Sequence, residues 1–150
     1  MRILICGSRY FRDAKRIFHY LSTVPKDTVI IEGEARGADT IVWVCCEILG
    51  LEYMQFPADW SAYHKAAGVK SNQEMLEQGK PDLVLFYHDN LDESRGTIDM
   101  ITRTDRAGIH VEEGPDKFHA NLLHVEWWDD DRLVGIPKTF NTIFKHLIPE

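Results

Sequence analysis

The segment Arg2-Ile3-Leu4-Ile5-Cys6-Gly7-Ser8-Arg9 decides the fold class. Its continuous apolar run, Ile3–Cys6, is typical of a strand that is buried on both faces of a parallel sheet. Gly7 ends the run, and residues 11–21 follow with apolar side chains at helical spacing. A strand, a tight turn and a helix in this order indicate the first unit of an α/β fold.

The same alternation continues to residue 111. Further strands are predicted at residues 28–31, 52–56, 82–87 and 109–111, and further helices at residues 38–49, at 60–79 in parts, and at 96–107. Alternating strands and helices predict parallel strands joined by right-handed crossovers. We therefore expect an α/β domain with a Rossmann-like open parallel sheet and helices on both faces.

The remaining residues do not continue this pattern. Glu112–Asp116 is a predicted break, after which the sequence favours a small β-hairpin and a closing helix. We predict that residues 1–111 form the Rossmann-like domain and that 112–150 form a C-terminal appendage packed on it. The adjacent Trp127 and Trp128 indicate either a packing surface or a subunit surface, which leaves a homodimer or higher homo-oligomer open.

The net charge and the cysteines argue against several classes of function. The net charge of −7 argues against non-specific binding to nucleic acid or anionic membrane, because such binding requires Lys and Arg to neutralise phosphates. The three cysteines show no Cys-x-x-Cys and no paired Cys/His spacing, so we expect reduced thiols. We expect neither a metal nor a cofactor. No signal peptide or membrane span is apparent, and a cytoplasmic location is the expectation.

The turn after the first strand carries the first candidate ligand contacts. Gly7 permits a tight turn and a close backbone approach, Ser8 offers a hydroxyl, and Arg9 offers a planar fork of donors that matches phosphate. The alternative is that the glycine only turns the chain.

The second candidate loop is Gly33-Glu34-Ala35-Arg36-Gly37-Ala38-Asp39. Its two glycines flank an arginine where a helix begins, and small residues keep the approach open. Backbone amides at a helix start, together with the helix dipole, form an anion site. The alternative is a capped turn in which Asp39 favours the helix N-terminus.

A third loop of the same kind is Asp92-Glu93-Ser94-Arg95-Gly96-Thr97-Ile98-Asp99. Ser94 can cap the following helix, Gly96 and Thr97 lie in its first turn, and Arg95 supplies positive charge. A cap alone explains Ser94, but it does not explain another arginine beside a glycine at an equivalent strand end. Because ligands of open parallel sheets bind beyond the carboxyl ends of the strands, we expect the three loops to line one cleft.

The segment after the third strand adds three candidates for the sugar and the base of a ligand. Asp59 is most simply an N-cap, but it could also accept hydrogen bonds from ribose hydroxyls. Trp60 could stack on a base or pack against the sheet, and Asn72 could bind a base edge or an amide.

Taken together, these motifs resemble the SLOG superfamily, named for the DNA-processing protein DprA and the cytokinin-activating LOG proteins, and within it the small YspA-related group. The segments that carry the resemblance are Cys6-Gly7-Ser8-Arg9, Gly33-Glu34-Ala35-Arg36-Gly37-Ala38-Asp39, Phe56-Pro57-Ala58-Asp59-Trp60, Ala66-Ala67-Gly68 with Asn72 and Met75, Pro81-Asp82-Leu83-Val84, and Ser94-Arg95-Gly96-Thr97-Ile98-Asp99 followed by Ala107-Gly108-Ile109. The resemblance implies a Rossmann-like domain that binds nucleotides or nucleotide-derived signals, with phosphate or ribose at the Gly-Arg-Gly and Arg-Gly-Thr loops.

In LOG-type relatives the resemblance also implies hydrolysis of an N-glycosidic bond. The catalytic glutamate of those enzymes aligns with Met100 here, and Asp99 lies one residue earlier, about 100° away around a helix. The YspA-related group also usually has an Arg-Asn pair where this chain has Ser71-Asn72.

Three hypotheses follow. The first is a binding module that senses or sequesters a nucleotide-derived small molecule, such as an ADP-ribose derivative. The second is a nucleotide N-glycosidase or phosphoribohydrolase, with Glu34 and Asp99 as candidate catalytic residues and Asp59 as a further carboxylate. The third is a protein-interaction or DNA-associated role, against which the acidic charge speaks.

Overall fold

The computed structural model describes residues 1–35, 37–88 and 95–115. The strands are β1 (Arg2–Gly7), β2 (Val29–Glu32), β3 (Glu52–Gln55), β4 (Leu83–Tyr87) and β5 (His110–Glu113). The helices are α1 (Ala14–Thr23), α2 (Ala38–Leu49), α3 (Trp60–Tyr63), α4 (Ala67–Gly79) and α5 (Arg95–Arg106), with a 3₁₀ turn at His64–Ala66 between α3 and α4. The predicted alternation of strands and helices is confirmed.

All neighbouring strands of the sheet are parallel, in the order β3-β2-β1-β4-β5. Helices α1 and α2 pack on one face, and α4 and α5 pack on the other. The strand order reverses between β1 and β4, so the connections that follow these two strands go to opposite faces. This arrangement is the Rossmann-like fold expected from the sequence, and it leaves a crevice at the carboxyl ends of β1 and β4.

Strand β1 lies at the centre and contributes to a hydrophobic core on each face. Ile3 and Ile5 belong to the core beneath α1 and α2. Leu4 and Cys6 belong to the second core, which includes Met100 of α5. Because alternate side chains of one strand enter opposite cores, every position of the run must be apolar.

Most boundaries shift by one or two residues from the sequence prediction, and two of the differences have a clear physical reason. Helix α1 begins at Ala14 rather than at residue 11, because the Asp13 carboxylate accepts a hydrogen bond from the Arg16 amide at 3.2 Å and caps the helix. Strand β5 continues through Glu113, beyond the predicted break at residue 112, because it pairs with β4 along its length. The predicted hairpin, the closing helix and the two tryptophans lie outside the described residues.

Candidate functional site

A cleft of about 990 Å³ opens at the carboxyl ends of the strands. The loops after β1, β2 and β3 form its walls together with the exposed side of α4 and the start of α5. The predicted site residues that line it are Gly7, Ser8, Arg9, Gly33, Glu34, Gly37, Asp39, Trp60, Asn72, Arg95 and Gly96. Arg36 and Ser94 lie outside the described residues.

Backbone contacts hold the first two loops together. The Ser8 carbonyl oxygen accepts hydrogen bonds from the amides of Phe11 (3.1 Å) and Ala38 (3.2 Å). The Ser8 amide donates to the Tyr87 carbonyl oxygen at 2.9 Å, which ties the same loop to β4. Gly37 has a φ of +75° and lies against the backbone of Ser8 and Arg9. The two loops therefore meet through backbone contacts, as expected from the sequence. Ala38 is fully buried at this contact.

Arginines provide the positive charge of the cleft. Arg9 and Arg95 line it from the β1 loop and the start of α5, and Arg12 lines it as well. Arg12 was not predicted, because it lies beyond the Gly-Ser-Arg motif. Its position three residues after Arg9 in the same loop is the sequence signal that could have indicated it. Guanidinium groups from separate loops can surround one phosphate-bearing ligand with donors.

Two buried carboxyl groups lie beneath the second loop. Glu32 at the end of β2 is fully buried, and Asp39 in the first turn of α2 is 8% exposed and lines the cleft. The Glu34 amide donates to Glu32 Oε2, and the Ala35 amide donates to Asp39 Oδ2 at 3.2 Å. A Cβ at Gly33 would lie 3.0 Å from Asp39 Oδ2, so this position has little room for a side chain. The loop therefore directs its backbone amides to internal carboxyl groups.

Both carboxyl groups hold their protons more tightly than usual. Burial raises the pKa of Glu32 to about 8, and repulsion from Asp39 acts in the same direction. Burial raises the pKa of Asp39 to about 7, against the effect of hydrogen bonds from the Ala35 and Gly33 amides. Glu32 Oε1 and Asp39 Oδ1 have no well-formed hydrogen bond among the residues that the structure describes, although the Gln55 side chain lies close enough to Glu32 to act against the rise in its pKa. Glu32 was not among the predicted site residues.

The predicted ribose contact, Asp59, caps a helix. Its carboxylate accepts hydrogen bonds from the Ala62 amide at 3.0 Å and the Ser61 hydroxyl at 2.7 Å. These bonds lower the pKa of Asp59, with the Ser61 hydroxyl as the larger cause. Asp59 does not line the cleft, and the simpler reading of this residue as an N-cap matches its contacts.

Asp99 also lies outside the cleft lining, in contact with neighbouring side chains. It accepts hydrogen bonds from Arg103 Nε at 2.8 Å and Asn72 Nδ2 at 2.9 Å. Asn72 also donates to the Gly96 carbonyl oxygen at 3.1 Å, which links α4 to the start of α5. Asp99 therefore orients Asn72, which lines the cleft, and its catalytic role stays a prediction. Thr97 is buried and is likewise absent from the lining.

Two exposed aromatic rings line the same cleft. The Trp60 side chain is 55% exposed, and Tyr10, which was not predicted, is 66% exposed. A Cβ at Gly68 of α4 would lie 3.5 Å from the Trp60 ring, so the bare glycine lets the indole approach the helix. The indole is thus available to stack on a planar ligand group rather than packed into a core.

The described part of the chain offers neither a metal cluster nor a membrane span. Within residues 1–35, 37–88 and 95–115, no group of three His, Cys, Asp or Glu side chains is placed to hold a metal ion. Over the same ranges, no helix combines the length and the apolar character needed to cross a membrane.

Comparisons with known proteins identify the family. Residues 1–63 match the family described as the YspA, cpYpsA-related SLOG family, and this segment includes the loops after β1 and β2. The chain is also 33% identical over 129 residues to the Gene 61 protein of Mycobacterium phage D29, an alignment that covers 77% of this chain and 98% of that protein. The chain belongs to the YspA, cpYpsA-related SLOG family. Membership of this family indicates nucleotide-related binding or activity.

Proposed function

We propose that the protein binds a phosphate-bearing nucleotide or nucleotide-derived signal, such as an ADP-ribose derivative, and acts as a sensor or sequestering protein. The observation that carries the proposal is that Arg9, Arg12 and Arg95 line one cleft with the exposed indole of Trp60. Guanidinium groups suit phosphate, and an indole suits a planar base. The cleft also lies at the reversal of strand order, where open parallel sheets bind their ligands.

Backbone donors extend this phosphate site. Helix α2 begins after Gly37, which provides no side-chain cap to its first amides. The amides of Glu34 and Ala35 already bond to buried carboxyl groups, so phosphate contacts from this loop fall to the start of α2. The Ala38 amide is bonded to the Ser8 carbonyl oxygen, so the amides that follow it in the first turn, beside the arginines, are the ones that suit phosphate oxygens.

Calorimetry tests the proposed function directly. We expect saturable binding at one site per chain for at least one of AMP, ADP, ADP-ribose and ribose 5-phosphate. Titrating the same ligands at increasing salt should weaken binding, because exposed arginines contribute to it. The absence of saturable binding across this panel would remove the proposal.

Replacement of Arg95 by alanine is expected to weaken the phosphate-bearing ligands by ~1.5–3 kcal/mol, the scale of charge-assisted hydrogen bonds. The matched control is Arg106→Ala, because Arg106 is an exposed arginine at the opposite end of the same helix. Calorimetry with ADP-ribose measures both variants. Equal affinities for Arg95→Ala, Arg106→Ala and the unchanged protein would place the phosphate elsewhere.

Replacement of Trp60 by alanine is expected to weaken base-containing ligands by ~1–2 kcal/mol, because a stacked aromatic ring contributes about this much per base. Ribose 5-phosphate, which has no base, should bind as before. Tyr63→Ala is the matched control, since Tyr63 is an exposed aromatic residue of the same helix outside the cleft lining. A parallel loss for ribose 5-phosphate would argue for a structural effect in place of stacking.

A second candidate function is an N-glycosidase or phosphoribohydrolase that acts on a nucleoside monophosphate or an NAD-like substrate. It is favoured by Asp39, a cleft-lining carboxyl group whose pKa is raised to about 7, and by the nearby lining residue Glu34. Such chemistry needs an acid to protonate the leaving base and a carboxylate near the sugar. Chromatography of AMP and NAD incubated with the protein should then reveal free base, lost in Asp39→Asn and Glu34→Gln. Intact substrate despite saturable binding would mean that the protein binds its ligand without hydrolysing it.

A further inference from the structure

The floor of the cleft contains a carboxylate oxygen that lacks a donor. Asp39 is 8% exposed and lines the cleft. Its Oδ2 accepts the Ala35 amide, whereas its Oδ1 is buried and has no hydrogen-bond partner among the described residues. An unpaired buried polar atom is unfavourable, so a ligand donor that reaches it gains more than it would at an exposed acceptor.

We propose that Asp39 selects ligands by accepting a hydrogen bond from a ribose hydroxyl. The inference rests on the proposed function and adds the orientation of the ligand in the cleft. The phosphate lies toward the arginines, the base lies on Trp60, and the ribose faces the carboxyl floor.

The unpaired oxygen of Asp39 suits a hydroxyl better than it suits a phosphate oxygen. Glu32 lies close enough to Asp39 for the two carboxyl groups to repel each other, and it is fully buried. A phosphate oxygen brings no proton to Asp39 Oδ1, and it would be repelled by whatever fraction of the pair is ionised, with little solvent to screen the charge. A hydroxyl is a neutral donor, and it fits an acceptor in this environment.

The order in which base, ribose and phosphate are linked in a nucleotide also places the ribose at Asp39. Ribose joins the base to the phosphate, so a ligand with those two groups on Trp60 and the arginines presents its sugar to the remaining lining. Asp39 and Glu34 are the acidic residues of that lining within the described part of the chain. Glu34 is exposed, whereas Asp39 is buried and held by the Ala35 amide, so Asp39 is the better prepared acceptor.

Calorimetry with AMP, 2′-deoxy-AMP and 3′-deoxy-AMP, and with ADP-ribose beside its 2′-deoxy and 3′-deoxy forms, tests the inference on the unchanged protein. We expect the ribose form to bind roughly tenfold or more tightly than at least one deoxy form, the scale of one hydrogen bond to a buried acceptor that otherwise lacks a partner. IMP is included because it lacks the exocyclic amine of AMP, and it should bind as AMP does.

The variant Asp39→Asn keeps one oxygen for the Ala35 amide and replaces the unpaired oxygen with a donor. It should bind the ribose and deoxy forms equally and bind inorganic pyrophosphate as before. Asp105→Asn is the matched control, because Asp105 is an exposed aspartate outside the cleft lining, and it should keep the discrimination. If Asp39→Asn fails to fold, the ligand series on the unchanged protein decides alone.

Two results would overturn the inference while leaving the proposed function intact. One is equal affinity of the unchanged protein for the ribose and deoxy forms. The other is a lower affinity for IMP than for AMP when the deoxy forms bind as tightly as AMP. The absence of binding for both AMP and ADP-ribose would instead remove the proposed function, and this inference with it.

Discussion

Replacement of Gly37 by alanine is expected to lower the free energy of unfolding by about 4 kcal/mol, the sum of backbone strain and overpacking. Gly37 has a φ of +75°, which side-chain-bearing residues rarely adopt. An added Cβ would also overlap the backbone of Ser8 and Arg9, which has no flexible side-chain end that could move aside. The two loops would have to separate, and with them the wall of the cleft.

Gly50→Ala is the matched control for this prediction. Gly50 also has a positive φ, of +70°, but no atom outside Gly50 and its two chain neighbours lies within 4 Å of the position that a Cβ would take there. Alanine at this position should cost only the left-handed backbone penalty of about 1 kcal/mol. Urea unfolding followed by circular dichroism measures both variants. Similar losses at Gly37 and Gly50 would mean that the contact between the two loops contributes little.

The sequence was sufficient for the fold of the residues that the structure describes, because its signals are local. The apolar run of β1 and the positive-φ glycine that ends α2 each specify their own structure. The fold then brings the ends of parallel strands to one edge, so the loops of Arg9 and Arg95 could be expected in one cleft before their contacts were known.

The carboxyl groups of the site were harder to assign, because their environment depends on residues distant in sequence. Glu32 looks like an ordinary charged residue at a strand end, and only the packing of the β2 loop and α2 buries it beside Asp39. Asp99 looks available in a loop motif, yet it pairs with Arg103. That i, i+4 spacing is visible in the sequence and could have indicated a structural role.

The buried Glu32 leads to the second large effect. Glu32→Gln is expected to stabilise the protein by about 3 kcal/mol at pH 8, since each unit of pKa difference corresponds to about 1.4 kcal/mol. This value is lower than the full shift because glutamine must also be desolvated. Its side-chain oxygen can accept the Glu34 amide, and its NH₂ group takes the position of Glu32 Oε1, where the Gln55 amide can rotate to present its oxygen as an acceptor.

The pH dependence has a definite sign. Burial raises the pKa of folded Glu32 from 4.5 to about 8, so the folded state binds this proton more tightly than the unfolded state. The ionisation penalty is absent below pH 4.5, grows as pH rises, and reaches its full value above pH 8. Asp39, whose pKa is raised from 3.8 to about 7, adds to the same trend. The unchanged protein should therefore lose stability between pH 5 and pH 8, and Glu32→Gln should lose less.

Urea unfolding at pH 5, 6.5 and 8 distinguishes this effect from a general gain in stability. The two proteins should differ most at pH 8 and least at pH 5, because protonated Glu32 and glutamine are both neutral. Glu52→Gln is the matched control, since Glu52 is exposed on the neighbouring strand β3 and its replacement should leave the pH profile unchanged. If the two proteins differed in stability by the same amount at all three pH values, the raised pKa of Glu32 would be contradicted. In that case the gain from glutamine would not come from removing a buried ionised group. A gain that grows with pH would mean that the protein retains Glu32 at a cost in stability, as expected if the carboxyl pair beneath the cleft serves its ligand.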